Sequence, residues 1–214
     1  MTTAQRARKI LALLKKTHPD AKCALHHRNP LQLLVATILS AQCTDVRVNK
    51  VTPALFKRYP TAAALAKAPL PQLEQLIRST GFYRQKAKSI QRTAGELVKR
   101  FKGQVPRTLE ELVTLPGVWR KTANVILGDC FRVPGIVVDT HVRRLSYRMG
   151  LTSHTDPDKI EQDLLKLLPK KAWTQFSHAM IFHGRRICGA LRPACPACPL
   201  LLYCPRRGVK ESSG

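Results

Sequence analysis

Apolar residues recur at helical spacing along almost the whole chain, and this periodicity restricts the fold more than any other feature. In the first segment Ile10, Leu11 and Leu14 fall on one side of a helix, with basic residues around them. No alternating pattern typical of a strand is longer than GIVVDT at 135–140. The sequence therefore predicts an all-α fold, with helices at 3–17, 31–41, 47–58, 62–67, 71–79, 84–101, 108–114, 120–130, 140–149, 157–168 and 171–187.

Short, sharply bounded helices are indicated by the residues that start and stop them. Thr61 and Asp156 occupy N-cap positions, where a side-chain oxygen accepts a backbone N–H that the helix leaves unpaired. Gly81, Gly103 and Gly150 stand just past helix ends, where the chain needs a left-handed residue. No repeat period and no low-complexity segment is present. We therefore expect many short helices rather than a bundle of long ones.

The net charge limits the partners of such a fold. The 214 residues include 37 Lys and Arg against 13 Asp and Glu, which gives a formal charge of +24. A compact chain with this excess repels itself unless it meets a polyanion, so nucleic acid is the first candidate partner and an anionic membrane surface the second. No secretory signal is visible, and the longest apolar run, LLVATIL at 33–39, is too short to span a bilayer. We expect a soluble intracellular protein.

A tight turn between two predicted helices carries the first candidate site. It reads TLPGVWRKTA at 114–123, and a Pro-Gly turn of this kind leaves backbone N–H groups pointing outward where the second helix begins. Those groups bind a phosphate without reading sequence, and Arg120 and Lys121 add positive charge. An ordinary helix corner with two solvated cations is the alternative. We expect Lys121, at a helix start and crowded by other cations, to be partly buried, which disfavours its charged form and makes the neutral amine available as a nucleophile.

A carboxylate follows at the start of another predicted helix. Asp139 opens the segment DTHVRRL, and aspartate is a preferred N-cap residue. A capping role and a catalytic role are compatible, because a carboxylate that caps a helix is held in a fixed position.

Four of the seven cysteines lie in one short segment near the end of the chain. Their spacing is C-x6-C-x2-C-x5-C, and four thiolates so close in sequence can surround one metal centre, either zinc or iron–sulfur. Structural zinc sites usually offer two close pairs, whereas only one such pair is present here. The spacing therefore favours a 4Fe–4S cluster, with zinc and four unrelated thiols as alternatives; the four residues are Cys188, Cys195, Cys198 and Cys204.

Taken together, these motifs resemble the endonuclease III family of helix-hairpin-helix DNA glycosylase/AP lyases. The similar segments are SAQCTDVRVNK at 40–50, GFYRQKA at 81–87, LPGVWRKTANVIL from 115, VDTHV from 138 and HGRRIC at 183–188 before the cysteine tail. The resemblance implies two helical domains, a six-helix domain at 22–133 that carries the hairpin and a second domain formed by 1–21 and 134–214 that carries the cluster. It also implies that DNA lies in a cleft between these domains.

The resemblance further implies the chemistry. Lys121 matches the family's catalytic lysine and Asp139 its catalytic aspartate, so we expect a bifunctional glycosylase that removes oxidised pyrimidines through a lysine Schiff base. Gln42 matches the residue that enters the gap left by the flipped base, and Phe82 stands where the family usually has a wedging leucine; a solvated helix end and a core aromatic are the alternatives. The residues expected to contact DNA are Gln42, Phe82, Leu115, Gly117, Trp119, Arg120 and His141, the last of which is equally compatible with a structural role.

One residue departs from the family hairpin, which normally reads LPGVGRKTA. Trp119 replaces its second glycine, and we expect a side chain at this position to obstruct the phosphate contact or to strain the turn. Three outcomes are open: an unchanged turn with the indole outward, an indole that contacts the sugar or a phosphate, or a narrowed active site beside Lys121 with weakened or changed activity. We favour the last two possibilities. A changed lesion specificity, or a weakly active or non-catalytic DNA-binding protein, therefore remains an alternative to the full enzyme.

The remaining expectations concern partners and location. We expect a monomer that binds double-stranded DNA containing a damaged pyrimidine or an abasic site, in the bacterial cytoplasm and at the nucleoid through DNA. A glycosylase that removes adenine from mispairs is disfavoured for two reasons. Enzymes of that class lack the lysine that this chain has at Lys121, and they carry an extra C-terminal domain that this sequence does not show. A zinc-dependent nucleic-acid binder is the last alternative.

Overall fold

All regular secondary structure in the computed structural model, which describes residues 1–209, is helical apart from one isolated bridge between Cys188 and Pro193. The prediction of an all-α fold is confirmed. Residues 210–214 of the predicted second domain lie outside the described residues. The α-helices are α1 (Thr3–Thr17), α2 (Pro30–Leu39), α3 (Asp45–Arg58), α4 (Ala62–Ala66), α5 (Leu70–Ile77), α6 (Tyr83–Phe101), α7 (Leu109–Leu112), α8 (Arg120–Phe131), α9 (Thr140–Arg148), α10 (Pro157–Leu167) and α11 (Trp173–Arg186).

Helix boundaries follow the local signals in the sequence. The side chains of Thr61 and Asp156 accept the N–H groups of residues three positions later, as their N-cap positions predict. Gly81, Gly103 and Gly150 have φ angles of 68°, 78° and 64°, in the left-handed region that their positions past helix ends require. Short-range capping therefore explains where many of these helices begin and end.

The described chain forms two compact units. The middle unit is Cys23–Val133, and the terminal unit consists of Met1–Lys22 together with the residues from Pro134 onward. Each unit encloses its own cluster of buried apolar side chains.

The middle unit is built around α2, a helix without a charged residue. Leu33, Leu34 and Leu39 of α2 are fully buried, as expected for a helix that is apolar on all sides. α6 and α8 pack against it with amphipathic faces, to which Ile90 and Ile126 belong. This packing fixes the loop after α2, the start of α6 and the turn before α8, which carry the predicted DNA contacts of this unit.

The terminal unit joins the first helix to the last ones. α1 packs against α10 and α11 and buries Ile10 and Leu14, the amphipathic face that the sequence predicts. Phe176 of α11 is the largest fully buried side chain of the chain's described part. Within residues 1–209, no helix combines the length and the apolar character needed to cross a membrane.

Candidate functional site

The predicted hairpin is a turn between α7 and α8 in the middle unit. Gly117 adopts φ 75°, a left-handed conformation that glycine accepts without strain, and the Val118 N–H donates to the Leu115 carbonyl at 3.1 Å. The side chains of Leu115 and Val118 lie in the core, with Leu115 only 2% exposed. A DNA contact of Leu115 is therefore confined to its backbone, and its side chain anchors the turn instead.

The hairpin is also tied to α6. The Thr93 hydroxyl donates to the Pro116 carbonyl at 2.6 Å. A Cβ atom built on Gly117 would lie 3.6 Å from Ser89 Cβ, an ordinary contact, so its φ angle rather than crowding makes glycine necessary there. The turn thus rests on a long helix and presents its outer face, including the exposed Gly117, to solvent.

Trp119 is the N-cap residue of α8, and its indole is 78% exposed. Its backbone has φ −95° and ψ 167°, an extended conformation that any residue adopts, so the strain that we expected at this position is absent. It provides no side-chain cap. Because the first N–H groups of a helix have no partner inside it, the start of α8 is suited to an external anion.

Lys121 lies in the first turn of α8, and its side chain is exposed. The expectation that this residue is partly buried is therefore wrong. The buried face of α8 contains Ala123, Asn124 and Leu127, and helical spacing places Lys121 beside that stripe rather than on it. Arg120, one residue earlier, is half-buried.

Two other loops of the middle unit hold non-glycine residues in the left-handed conformation. Gln42, in the exposed turn between α2 and α3, has φ 51°. Phe82, immediately before α6, has φ 47° and is 66% exposed, so a core aromatic at this position is excluded. Lys102 and Arg132 share the left-handed conformation but are C-caps, where it is common. Backbone strain at Gln42 and Phe82 has no such explanation and marks both as functional candidates.

Lys86 connects these two loops, and the sequence analysis missed this role. Its side chain is buried, and its Nζ donates to the Leu39 carbonyl at the end of α2 and to the Thr80 carbonyl, each at 2.8 Å. Burial lowers the pKa of its ammonium group. One signal was available, because Lys86 precedes Ile90 by four residues and therefore falls on the apolar stripe of α6.

In the terminal unit, Asp139 caps α9. Its Oδ1 accepts the backbone N–H groups of His141 and Val142 at 2.9 and 2.8 Å, and its Oδ2 lies 3.0 Å from His141 Nδ1. The predicted N-cap is present, and a half-buried histidine holds the second oxygen. The carboxylate is consequently fixed in position and orientation, with its side chain 13% exposed.

The position of His141 depends on a glycine of α11. A Cβ atom built on Gly184 would lie 2.9 Å from His141 Cδ2 and 3.1 Å from Arg144 Nη2. Arg144 in turn donates to the carbonyls of Gly184 and Cys188 at 3.1 and 2.9 Å. Gly184 therefore permits the close packing of α9 on α11 that supports both Asp139 and Cys188, the first of the four clustered cysteines.

The four clustered cysteines are free thiols that converge in the terminal unit. Burial raises the pKa of the Cys198 thiol, and nearby Cys188, Cys204 and Cys195 raise it further, which puts all four within electrostatic range. Within residues 1–209, no group of three or more His, Cys, Asp or Glu side chains has the geometry to hold a single metal ion. A 4Fe–4S cluster is a larger centre than one metal ion, and each of its four thiolates binds a separate iron atom.

A buried arginine beside these thiols fits an anionic sulfur centre. Arg148 Nη1 lies 3.3 Å from Cys188 Sγ and 2.7 Å from the Gly189 carbonyl, and Nη2 donates to the Ala190 carbonyl at 2.7 Å. A buried guanidinium is favourable when it is paired with negative charge, which thiolate ligands supply. The residues present therefore fit a 4Fe–4S cluster held by four cysteines.

The comparisons with known proteins agree with this arrangement. Residues 35–170 match the family model for the HhH-GPD superfamily base excision DNA repair protein. The chain is 57% identical to the endonuclease III of Synechocystis sp., over 94% of the chain and 92% of that protein, and 47% identical to the endonuclease III of Bacillus subtilis, over 90% and 88%. A solved structure of a trapped endonuclease III–DNA covalent intermediate is similar with a TM-score of 0.91 and 50% identity, over 95% of this chain and 96% of that one.

Proposed function

We propose a role for each part of the site on one premise: the chain belongs to the endonuclease III family, within the HhH-GPD superfamily of base excision DNA repair proteins. It is a base excision repair DNA glycosylase with AP lyase activity. The substrate is double-stranded DNA with an oxidised pyrimidine or an abasic site. The exposed position of Lys121 on the first turn of α8 carries this proposal, because a bifunctional enzyme needs an amine that can reach the sugar.

The hairpin binds the DNA backbone. The N–H groups at the start of α8 bind a phosphate, and the excess of basic residues adds a sequence-independent attraction to the duplex. The damaged nucleotide leaves the base stack before it reacts. Gln42 occupies the resulting gap, and Phe82 inserts beside it as an apolar wedge. The left-handed conformations of these two exposed residues support this role.

Lys121 is the nucleophile. Its neutral Nζ attacks the sugar C1′, the glycosidic bond breaks, and the base leaves with the bonding electron pair. Loss of the second amine proton and opening of the sugar ring give a Schiff base between Nζ and C1′. Removal of a C2′ proton then expels the 3′ phosphate by β-elimination, and water hydrolyses the imine.

Asp139 assists this displacement as an anion and as a proton acceptor. A fixed carboxylate stabilises the positive charge that develops on the sugar and accepts the proton that the lysine must lose. The two backbone N–H groups and the His141 ring orient the carboxylate, so His141 is proposed as a positioning residue. Trp119 contributes a contact between its exposed indole and the DNA backbone, through the ring or its N–H donor.

The four clustered cysteines hold a 4Fe–4S cluster, which supplies a redox-capable centre and shapes the loop between Cys188 and Cys204. The exposed Arg192, Arg206 and Arg207 beside it are further phosphate contacts. The protein acts as a monomer in the bacterial cytoplasm and reaches the nucleoid through its DNA affinity.

Borohydride trapping tests the Schiff base directly. The protein is incubated with a duplex that contains one thymine glycol, or one abasic site, and borohydride reduces the imine to a stable amine. The wild-type chain should form a covalent complex with both duplexes, and Lys121→Gln should form none. Lys166→Gln, an exposed lysine of α10 outside the site, is the control with the same charge change.

Each failure has a separate meaning. Trapping at the abasic site alone would refute the proposed lesion class and keep the lyase chemistry. A complex that persists in Lys121→Gln would assign the nucleophile to another residue. Absence of trapping from the wild-type chain with either duplex would refute the lysine mechanism.

A further inference from the structure

Two buried histidines extend inward from one cysteine of the proposed cluster. His183 Nε2 lies 3.4 Å from Cys198 Sγ, and His183 Nδ1 lies 3.1 Å from His18 Nε2. His183 is fully buried and His18 is 1% exposed. The rings meet edge to face with their centroids 5.3 Å apart. A residue just after α1 is thus connected to the cysteine loop through α11.

The Cys198 sulfur determines which atoms donate and which accept in this series of hydrogen bonds. A thiolate that binds a metal centre only accepts hydrogen bonds, so His183 Nε2 must carry the proton and donate to Cys198. A neutral His183 ring then has a bare Nδ1, which accepts the proton of His18 Nε2. The 3.1 Å contact between His183 Nδ1 and His18 Nε2 needs one donor and one acceptor, and His18 Nε2 is the donor when His183 Nδ1 is bare.

The series of hydrogen bonds ends at His18. Among the described residues, His18 Nδ1 is a buried atom without a hydrogen-bond partner. Because both rings are out of contact with solvent, no hydrogen-bonded path within residues 1–209 leads from the pair along which a proton could leave. Its two N–H dipoles instead point in the same direction, toward the Cys198 sulfur.

We propose that His18 and His183 form a two-histidine relay that sets the reduction potential of the cluster, with the His18 N–H strengthening the hydrogen bond that His183 donates to Cys198. Both are positioning residues, and the inference rests on the cluster proposed above. Hydrogen bonds to cluster sulfurs stabilise the more negative, reduced state and raise the potential. A hydrogen bond accepted at one ring nitrogen polarises the imidazole and strengthens the donation from the other ring nitrogen, so His18 acts on the sulfur through His183.

Substitution of His18, the histidine farther from the sulfur, gives the more discriminating test of the relay. His18→Phe keeps an aromatic ring of similar size but removes the donor to His183 Nδ1. His183 Nδ1 then lacks the N–H that polarises the ring, so its Nε2–H donates a weaker hydrogen bond to the sulfur. His18→Gln places an amide N–H near the original Nε2 and should restore the donor. His18→Leu is a second deletion variant, measured beside His18→Phe in case the larger ring disturbs the packing of α1 on α11.

The measurement is the cluster's reduction potential by voltammetry on anaerobically purified full-length protein, with iron content and visible absorbance as controls for loading. We expect His18→Phe and His183→Phe to lower the potential and His18→Gln to stay close to wild type. The double variant His18→Phe/His183→Phe should match His183→Phe alone, because His18 acts only through His183.

The relay would be overturned if His18→Phe and His18→Leu load their cluster and keep the wild-type potential. It would also be overturned if the potential shifts of His18→Phe and His183→Phe add in the double variant. A thermal unfolding change without a change in potential would likewise reduce His18 to a packing residue. Wild-type protein that carries no iron and shows no cluster absorbance would instead refute the cofactor, and the relay with it.

Discussion

Asp139 caps α9 and is also proposed to assist catalysis, and two substitutions should separate these roles. Asn retains an oxygen at the Oδ1 position, which accepts the backbone N–H groups of His141 and Val142 in the wild-type chain. Ala removes both acceptor oxygens. Asp139→Asn therefore tests the charge with the cap intact, and Asp139→Ala tests both together.

The expected magnitudes differ enough to be measured. Loss of an N-cap oxygen costs about 0.5–2 kcal/mol of stability, which applies to Asp139→Ala. Asp139→Asn loses mainly the attraction of the charge to the helix dipole, about 0.3–1 kcal/mol. Removal of a general base or acid slows the chemical step about 10²–10⁴-fold, or roughly 3–5 kcal/mol of barrier, and this applies to both variants.

The assay pairs urea unfolding with single-turnover release of thymine glycol from a duplex at saturating enzyme. We expect both variants to lose base release to a similar extent, while only Asp139→Ala loses a substantial part of its unfolding free energy. Duplex affinity is measured in parallel, so that weaker binding is not mistaken for slower chemistry.

Either of two results would contradict this reasoning. Base release by Asp139→Asn within about threefold of wild type would show that the charge is not needed for catalysis. Equal destabilisation of the Asn and Ala variants would show that the cap depends on the charge rather than on the accepting oxygen.

Three further predictions follow from other parts of the molecule. Trp119→Gly should weaken duplex affinity about tenfold, or roughly 1.4 kcal/mol, in a binding titration, because an exposed indole contact is lost; an unchanged affinity would remove its proposed role. Lys86→Met should lower the unfolding free energy by about 1–3 kcal/mol in urea titration, because two buried carbonyls lose their donor; a stabilised variant would mean that desolvation of the ammonium outweighs its hydrogen bonds. Burial raises the pKa of Cys23 to about 12 and of Cys130 to about 11, so at pH 8 only about one thiol in a thousand or fewer is ionised. Mass spectrometry should therefore find both cysteines unmodified after brief alkylation of the folded protein, because the thiolate is the reactive form. Rapid labelling of either cysteine would contradict this prediction.

Features that depend on neighbouring residues were predictable from the sequence. The all-α class, the N-caps at Thr61 and Asp156 and the left-handed glycines each depend on a few adjacent positions. The Asp139 cap belongs to the same group, because its oxygen reaches N–H groups two and three residues away. Such interactions are formed within one turn of helix, and tertiary packing does not need to be known.

Features that depend on the rotation of a helix or on distant partners were not predictable. Lys121 was expected to be partly buried, but the stripe through Ala123 and Leu127 turns it toward solvent. Lys86 bonds a carbonyl 47 residues away, and His18 reaches a histidine 165 residues away. A sequence pattern places a residue on a face of its own helix, whereas packing decides which carbonyl or ring that face meets.

The two hydrogen bonds of Lys86 have a consequence for how the loops that contain Gln42 and Phe82 can vary. Its ammonium group bonds the carbonyls of Leu39 and Thr80, which every amino acid would offer at those positions. Residues beyond these anchors, including Gln42 and Phe82, can therefore be exchanged without breaking the attachment. Exchange of residues in the two loops should therefore leave the spacing between the loops unchanged.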